Sequence, residues 1–446
     1  MDNNKTVGRK NLSRREFCKH ASLAAGGGLL LGSLPIGASA FATGDDTLKV
    51  AVVGCGGRGT GAANQALIAD EGVKIVALAD AFRDRLDECH ERLSERYAES
   101  GRYDVPDEHK FTGFNAYKDA IDLADVVILA ATPGFRPKHF EYAVEQGKHV
   151  FMEKPIATDV AGVHRVLEAG KVAKQKNLNV VVGLQRHYQN NYREAVKRIN
   201  DNEIGKIISG QVYWNSGGVW VRERETDQTE MEYQMRNWYY FNWLCGDHIL
   251  EQHIHNIDVA NWFIGEYPET AQGMGGREVR TGKDHGQIFD HHFVEYTYPG
   301  GAVIASQCRH QPNTMSRVDE VFQGTEGTIH TDGTHKTTIK SLQNATIYDH
   351  DGREDPNPYQ EEHDELFAAI RSGEVISDTE NAAKSNLAAI MGRMATYTGQ
   401  VVSWEDAMNS DQVLVPESLR WDDNPPVMPD GNGRYPVPVP GQTPIM

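Results

Sequence analysis

The sequence has few cysteines, an excess of acidic over basic residues and, beyond its N-terminus, no long hydrophobic run. Its five cysteines are scattered over 446 residues, without the density of a disulfide framework or the C-x-x-C spacing of a metal site. The net charge of −18 argues against sequence-independent nucleic-acid binding, which needs a basic face. No later apolar run approaches the ~20 residues that span a bilayer. With 39% hydrophobic and 24% charged residues, the sequence predicts a soluble globular protein long enough for two domains.

Residues 1–42 have the pattern of a targeting segment. Residues 13–19 read SRREFCK and contain a twin arginine, residues 21–38 are apolar and glycine-rich, and Ala38-Ser39-Ala40 offers a cleavage site. This order is typical of a twin-arginine signal; the alternative is a chance Arg-Arg pair before an apolar helix. We expect export to the periplasm or the extracellular space through the twin-arginine machinery.

After this segment, short β-branched apolar runs alternate with helical segments. Such runs are typical of parallel strands that are buried on both faces. The alternation predicts an α/β fold, a doubly wound parallel sheet over residues 46–180. The predicted strands are Leu48–Val53, Val73–Asp80, Asp125–Ala131, His149–Met152 and Val180–Leu184, and the predicted helices cover residues 61–69, 83–99, 139–146 and 160–176.

The pattern changes after residue 180. The segment His292–Tyr298 alternates polar and apolar residues before Pro299-Gly300-Gly301, which predicts antiparallel strands and a tight turn. We therefore expect a C-terminal α+β domain with an open, mainly antiparallel sheet over residues 181–421. Helices after residue 360 are candidates to pack back on the first domain, and residues 422–446 are expected to form an extended arm.

The first predicted strand ends in a glycine loop, Gly54-Cys55-Gly56-Gly57-Arg58-Gly59, directly before a helix. In this context the first glycine permits a tight turn, the second lets backbone approach a pyrophosphate, and the third allows close helix packing. The helix N-terminus adds oriented N–H groups for the phosphates. The pattern predicts a Rossmann domain that binds a dinucleotide; the alternative is a glycine-rich turn without a ligand.

Asp80 ends the second predicted strand, near the position expected for an acid that binds the adenosine ribose. A carboxylate there accepts hydrogen bonds from the 2′-hydroxyl and repels a 2′-phosphate, which favours NAD. Arg83 is close enough in sequence to weaken that preference, so NADP remains an alternative cofactor. The alternative role for Asp80 is to cap the next helix.

Glu153-Lys154-Pro155 follows another predicted strand, so Lys154 is expected at a carboxyl strand end, where parallel sheets place ligands. Oxidation of a secondary alcohol removes a proton as hydride leaves, and an amine beside the cationic nicotinamide can share that work. The alternative is a surface charge pair.

A histidine-rich segment covers residues 246–258. On one continuous helix, His248, Glu251, His255 and Asp258 fall on one face. A neutral imidazole there is a natural general base, with Glu251 orienting it. Three histidines within eight residues would also be compatible with a metal site, but the H-E-x-x-H zinc signature is missing, so we expect no metal. Asp258 is alternatively a salt-bridge or capping residue.

These motifs together resemble the Gfo/Idh/MocA oxidoreductase family, which includes glucose–fructose oxidoreductases and inositol dehydrogenases. The resemblance spans residues 48–401 and rests on the glycine loop, Thr132-Pro133, Glu153-Lys154-Pro155 and the segment His255–Trp262. It implies an N-terminal Rossmann domain and a C-terminal α+β domain whose open sheet often mediates oligomers. It also implies Lys154 and His255 as catalytic residues, with Glu251 where the family usually has Asp. The cofactor-binding residues expected on the motifs and the resemblance are Gly54, Gly56, Gly57, Arg58, Gly59, Asp80, Thr132, Pro133, Glu153 and Lys154.

Three functions are compatible with these motifs. The first is NAD(P)-dependent hydride transfer to or from a sugar or cyclitol hydroxyl, and the second is a glycosidase that works by transient oxidation and elimination. The third, a non-catalytic binding protein, is disfavoured because Lys154 and His255 are both present. An exported enzyme is expected to hold its NAD tightly, since free NAD is not replenished outside the cytoplasm. The residues expected to contact substrate are Arg186, His187, Trp243 and His248.

Overall fold

The computed structural model describes residues 46–444, so the predicted signal segment lies outside the described residues. Its first sheet has six parallel strands in the order β3-β2-β1-β4-β5-β6, which confirms the predicted doubly wound sheet. The strands are β1 Leu48–Val53, β2 Val73–Asp80, β3 Lys110–Thr112, β4 Val126–Leu129, β5 His149–Met152 and β6 Val180–Val182. The helices of this part are α1 Gly57–Ala69, α2 Arg83–Tyr97, α3 Ala116–Asp122, α4 Arg136–Glu145 and α5 Val160–Gln175.

Strand β1 shows why these segments form a buried sheet. Val50 and Val52 pack into the hydrophobic cluster on one face, and Ala51 and Val53 pack into the cluster on the other. A strand covered on both faces needs apolar residues at successive positions. This is why the strands are visible as mostly apolar runs in the sequence.

The second sheet has nine strands in the order β14-β13-β12-β11-β7-β10-β9-β8-β15. Only β7 and β10 pair in parallel, so the sheet is mostly antiparallel, as predicted. Residues along β9 and β10 alternate between buried and half-buried, as expected for a sheet with one covered face. The strands are β7 Ile207–Ser216, β8 Thr270–Gly276, β9 His291–Thr297, β10 Val303–His310, β11 Arg317–Gly324, β12 Gly327–Thr331, β13 Lys336–Ser341, β14 Thr346–Asp351 and β15 Val402–Ser403.

Two late helices return to the first sheet. The later helices are α6 Asn190–Asn200, α7 Glu230–Arg236, α8 Asn242–Cys245, α9 His248–Glu251, α10 Ile254–Ile264, α11 Pro358–Ser372, α12 Thr379–Thr398 and α13 Trp404–Met408. Helix α11 packs against α1 and α12 against α5. Gln360 Nε2 of α11 donates to the Gln65 carbonyl of α1 at 3.0 Å. No helix within residues 46–444 combines the length and apolarity needed to cross a membrane.

The histidine-rich segment is not one helix, and the prediction that it is continuous is wrong. It forms two short helices, α9 and α10, with a break at Gln252 and His253. His253 is hydrogen-bonded to Ser306 Oγ on β10 at 2.7 Å, and this anchor competes with helical continuation. The four residues predicted to share one face therefore point to different surroundings.

Candidate active site

The carboxyl ends of the parallel strands open onto a cavity of about 640 Å³. The glycine loop follows β1, Asp80 ends β2, and Glu153 and Lys154 follow β5. This edge is where open α/β sheets bind ligands. The cavity wall includes all ten predicted cofactor residues together with Glu251 and His255.

The glycines of the loop divide into packed and open positions. A Cβ on Gly54, whose φ is +99°, would lie 2.3 Å from the Ala131 backbone nitrogen, and one on Gly59 would lie 1.8 Å from the Gly54 carbonyl oxygen. A Cβ on Gly56 or Gly57 would meet nothing within 4 Å. The packed glycines let the loop form, whereas the open ones leave room for a pyrophosphate against the backbone. The loop therefore fits a dinucleotide.

Asp80 holds the loop from the end of β2. Its carboxylate accepts hydrogen bonds from the backbone N–H groups of Cys55 at 2.7 Å and Phe82 at 2.9 Å. Burial raises the pKa of Asp80 above its ordinary value, although these hydrogen bonds oppose the shift. Each carboxylate oxygen retains a lone pair for a ribose hydroxyl.

Arg58 and Glu153 form an ion pair behind the loop. Arg58 Nε donates to Glu153 Oε1, and Arg58 Nη2 lies 3.5 Å from Glu362 Oε2 on α11. Burial disfavours the charged guanidinium, but Glu153 and Glu362 raise the pKa of Arg58 overall. These two predicted cofactor residues therefore also fix the shape of the loop.

Thr132 and Pro133 line the cavity beyond β4. Thr132 Oγ1 is buried and has no hydrogen-bond partner among the described residues. A buried hydroxyl without a partner costs free energy. This atom is therefore free to bond a cofactor placed against the strand end.

Lys154, Glu251 and His255 meet in the same cavity. Lys154 Nζ donates to Glu251 Oε1 at 3.1 Å and to the Glu251 carbonyl. Burial, and then the charge of Lys154, lower the pKa of His255 well below its ordinary value, so the imidazole is neutral near pH 7. The Trp214 ring stacks on His255 with centroids 5.9 Å apart. The site thus holds an ammonium, a carboxylate and a neutral base together.

The structure does not bring Arg186 and His187 to the cavity wall. Arg186 forms a buried ion pair with Glu320, the side chains being 2% and 0% exposed. His187 Nε2 is hydrogen-bonded to Asp258 Oδ2 at 2.7 Å, and its ring stacks on Trp262. Both residues are engaged in internal contacts rather than placed for substrate.

Trp243 and His248 are also buried away from the cavity wall. Trp243 Nε1 donates to Gln234 Oε1 at 2.8 Å inside an aromatic cluster. His248 is fully buried and stacks on His310 with centroids 4.3 Å apart. The break between α9 and α10 removes His248 from the face that carries His255.

Other side chains occupy the wall instead. Trp220, Arg222, Gln252 and Tyr359 line the cavity, together with Trp214 and Trp238. Gln252 was recognisable only as a neighbour of Glu251. Tyr359 comes from α11, and no local motif connects that helix to the glycine loop.

The chain is similar to several curated sugar and cyclitol proteins. The 2,7-anhydro-N-acetylneuraminate hydratase of Escherichia coli K12 is 28% identical over 211 residues, 47% of this chain and 52% of the relative. The myo-inositol 2-dehydrogenase of Thermotoga maritima is 23% identical over 298 residues, 66% of this chain and 77% of the relative. The inositol 2-dehydrogenase of Salmonella typhimurium is 28% identical over 233 residues, 51% of this chain and 57% of the relative. The matches thus span from about half to three quarters of these relatives.

Solved structures share the fold. The aldose-aldose oxidoreductase of Caulobacter crescentus has a TM-score of 0.62 at 18% identity, covering 80% of this chain and 99% of its own. The myo-inositol 2-dehydrogenase of Lactobacillus plantarum has a TM-score of 0.60 at 22% identity, with the same coverage. At these identities the likeness concerns the fold alone.

Two protein-family models match consecutive parts of the chain. The oxidoreductase family with an NAD-binding Rossmann fold matches residues 48–184, which include the glycine loop and Lys154. The GFO/IDH/MocA C-terminal domain matches residues 192–330, which include Glu251 and His255. Together the two matches cover more than half of the 446 residues. The chain therefore belongs to the Gfo/Idh/MocA family of oxidoreductases.

Proposed function

We propose that this protein transfers hydride between a nicotinamide cofactor and a carbon that carries a hydroxyl group in a sugar or cyclitol. One observation carries the proposal: a single cavity joins the glycine loop to Lys154, Glu251 and His255. The names of the relatives, which include inositol 2-dehydrogenases, support the substrate class.

The residues of the chain suit the proton part of this reaction. The nicotinamide, when bound, supplies the hydride acceptor or donor. His255 is neutral at pH 7 and takes the hydroxyl proton. Lys154 Nζ, held by Glu251, donates a hydrogen bond to the substrate oxygen. Trp214 and Trp238 in the wall offer faces for a sugar ring and exclude water.

The cofactor of this proposal is NAD, held tightly. Asp80 supports NAD over NADP because its carboxylate would repel a 2′-phosphate in the cavity. The twin-arginine pattern of residues 13–19 supports loading in the cytoplasm, export after folding, and a periplasmic or extracellular location. Lysine in place of Arg14 and Arg15 should retain the protein in the cytoplasmic fraction; unchanged export would contradict this route.

We also propose a homo-oligomer that forms through the second sheet. Ile208 on β7 is 50% exposed and Met274 on β8 is 71% exposed, so apolar side chains lie on the uncovered face. A second copy packed on this face would bury them. Sedimentation should show an oligomer that Ile208→Lys with Met274→Lys dissociates, and a monomeric unaltered chain would refute the proposal.

Glycoside or anhydro-sugar conversion without net oxidation is a second candidate. One relative is named as a hydratase of an anhydro sugar, so net non-redox chemistry is represented among similar proteins. In this scheme the nicotinamide, when bound, would accept hydride from the sugar, and the acidified C–H beside the new carbonyl would lose its proton as the leaving group departs with its electron pair. Water would then add to the double bond, and return of the hydride would leave no net oxidation. His255 and Lys154 would serve the proton steps in both schemes.

Mass spectrometry of nucleotide released from the purified protein tests the cofactor, and a screen of cyclitols, aldoses and nitrophenyl glycosides tests the reaction. Net NADH formation supports the dehydrogenase, and nitrophenol release without net NADH supports the second scheme. Lys154→Ala should abolish either activity, while Lys171→Ala, on the exposed side of α5, should not. Equal activity of Lys154→Ala and the unaltered protein would refute the site.

A further inference from the structure

Three buried polar side chains meet outside the cavity wall. Asp247 and His248 precede or begin α9, and His292 lies on β9. All three are almost fully buried, with exposures of 0%, 0% and 3%. One ligand atom from each lies within 4.8 Å of the others. The reaction proposed above gives none of them a role.

The imidazole of His248 lacks the hydrogen bonds that a buried polar side chain normally makes. Neither of its ring nitrogens has a hydrogen-bond partner among residues 46–444, although both are buried. A neutral imidazole has one donor and one acceptor, and leaving either unpaired in the interior is unfavourable because its hydration is lost without replacement. His310 stacks on the ring but does not bond its nitrogens. A ligand for His248 would remove this cost.

His292 and Asp247 face the same point. His292 Nε2 lies 3.3 Å from Asp247 Oδ2 but has no hydrogen bond within the described chain. Asp247 is firmly held: its Oδ2 accepts from the Tyr397 hydroxyl at 2.5 Å and from the Phe289 N–H at 3.0 Å. Its Oδ1 accepts the His248 N–H at 2.5 Å and retains a lone pair.

We propose that Asp247, His248 and His292 bind a divalent transition-metal ion, and specifically zinc, for which two imidazoles and a carboxylate are an established ligand set. Two imidazoles and a carboxylate are common zinc ligands at about 2.0–2.2 Å, so in a tetrahedral site two ligand atoms lie about 3.3–3.6 Å apart. The Asp247 Oδ1 to His248 Nε2 separation of 3.9 Å is close to this range. The 4.8 Å span of the whole set has to contract by about 1.2–1.5 Å, a movement of side-chain rotamers.

The hydrogen bonds around Asp247, His248 and His292 are consistent with a bound ion. His292 Nδ1 is hydrogen-bonded to Thr396 Oγ1 at 2.9 Å, the kind of second contact that orients a metal-binding imidazole. The backbone carbonyl of Asp247 accepts from Glu251 N–H at 2.9 Å. An ion on Asp247 and His248 would therefore fix the short helix that carries Glu251 into the active site.

No metal was expected from the sequence, because the histidine-rich segment lacks the H-E-x-x-H zinc signature. Within that segment, His253 is bonded to Ser306 and His255 lies in the cavity, so three local histidines do not converge. The third ligand, His292, comes from a strand far along the chain. Its approach to Asp247 depends on the packing of β9 against α12.

Metal analysis of the full chain, purified without a histidine tag and dialysed against metal-free buffer, tests the proposal. We expect about one zinc per chain in inductively coupled plasma mass spectrometry. His248→Ala and His292→Ala should lose it, while His291→Ala, the exposed neighbour of His292, should retain it. Exchange with Co²⁺ should give visible d–d absorption in the unaltered chain and in His291→Ala only.

Chelation gives a measurement that needs no substitution. Because an ion that binds only the folded state stabilises it, a chelator should lower the melting temperature of the unaltered chain, and added zinc should restore it. A folded, unaltered chain with no metal above the buffer blank, before and after equilibration with zinc, would overturn the proposal. So would His248→Ala and His292→Ala proteins that keep the stoichiometry and the cobalt spectrum of the unaltered chain.

Discussion

Replacing Gly56 by alanine should separate cofactor binding from folding. Gly56 has φ −70° and ψ −178°, a conformation that alanine adopts freely. An added Cβ would meet no protein atom within 4 Å. The free energy of unfolding of the nucleotide-free protein should therefore change by less than about 0.5 kcal/mol.

Nucleotide affinity should fall in the same variant, because the Cβ would project into the space that a pyrophosphate needs. Loss of one hydrogen bond from the loop backbone to a phosphate costs about 1.5–3 kcal/mol, and 1.4 kcal/mol is a tenfold change in Kd. We expect the NAD dissociation constant to rise roughly 10- to 100-fold. Calorimetric titration of the stripped protein measures it, and thermal unfolding of the same sample measures stability.

Two further glycine variants complete the comparison. In Gly59→Ala the Cβ would lie 1.8 Å from the Gly54 carbonyl oxygen, so the loop must move by about 1.6 Å to reach an ordinary contact of 3.4 Å. Both stability and NAD binding should fall. Gly431→Ala also adds a Cβ to open space and should alter neither. A Gly56→Ala protein that binds NAD as tightly as the unaltered chain would refute the assigned role of the loop.

Three other substitutions or profiles test the site. Burial and the charge of Lys154 lower the pKa of His255, so its active neutral form should persist below pH 6.5. We therefore expect kcat/KM to stay constant as the pH falls through 6.5. A decrease in kcat/KM centred at that pH would contradict the assignment. Glu251→Gln should lower kcat roughly 10- to 100-fold by weakening the hold on Lys154, with KM little changed and partial recovery in Glu251→Asp; unchanged kcat would remove Glu251 from the mechanism. Arg186→Met leaves Glu320 buried without its cation and should lower the free energy of unfolding by about 3–5 kcal/mol, measured as a lower melting temperature. A raised KM at unchanged stability would instead indicate that Arg186 contacts the substrate.

Most of the first sheet was predictable because its signal is local. Strands β1, β2 and β5 begin and end at the predicted residues, since each is a mostly apolar run that ends where the chain leaves the sheet. Strand β3, Lys110–Thr112, was missed because two of its residues are only partly buried and Thr112 is exposed. An edge strand of this kind has no hydrophobic pattern to detect.

The site was predictable only where one short motif carries the chemistry. The glycine loop, Lys154 and His255 all lie in the cavity, since their positions follow from strand ends and a local segment. Arg186 and His187 looked free in sequence because their acidic partners, Glu320 and Asp258, are far along the chain. Tertiary packing decides whether a polar side chain is available to a ligand or is paired with another residue, and the local sequence does not show this.

The ion pair between Arg58 and Glu362 bears on when the nucleotide cavity can form during synthesis of the chain. The glycine loop is among the first parts of the described chain to be made, but α11, which supplies Glu362 and Tyr359 beside Arg58, is made some three hundred residues later. The nascent N-terminal domain therefore lacks one wall of its nucleotide cavity until α11 has left the ribosome. On the proposed export route, cofactor loading would therefore have to follow synthesis of the C-terminal part of the chain.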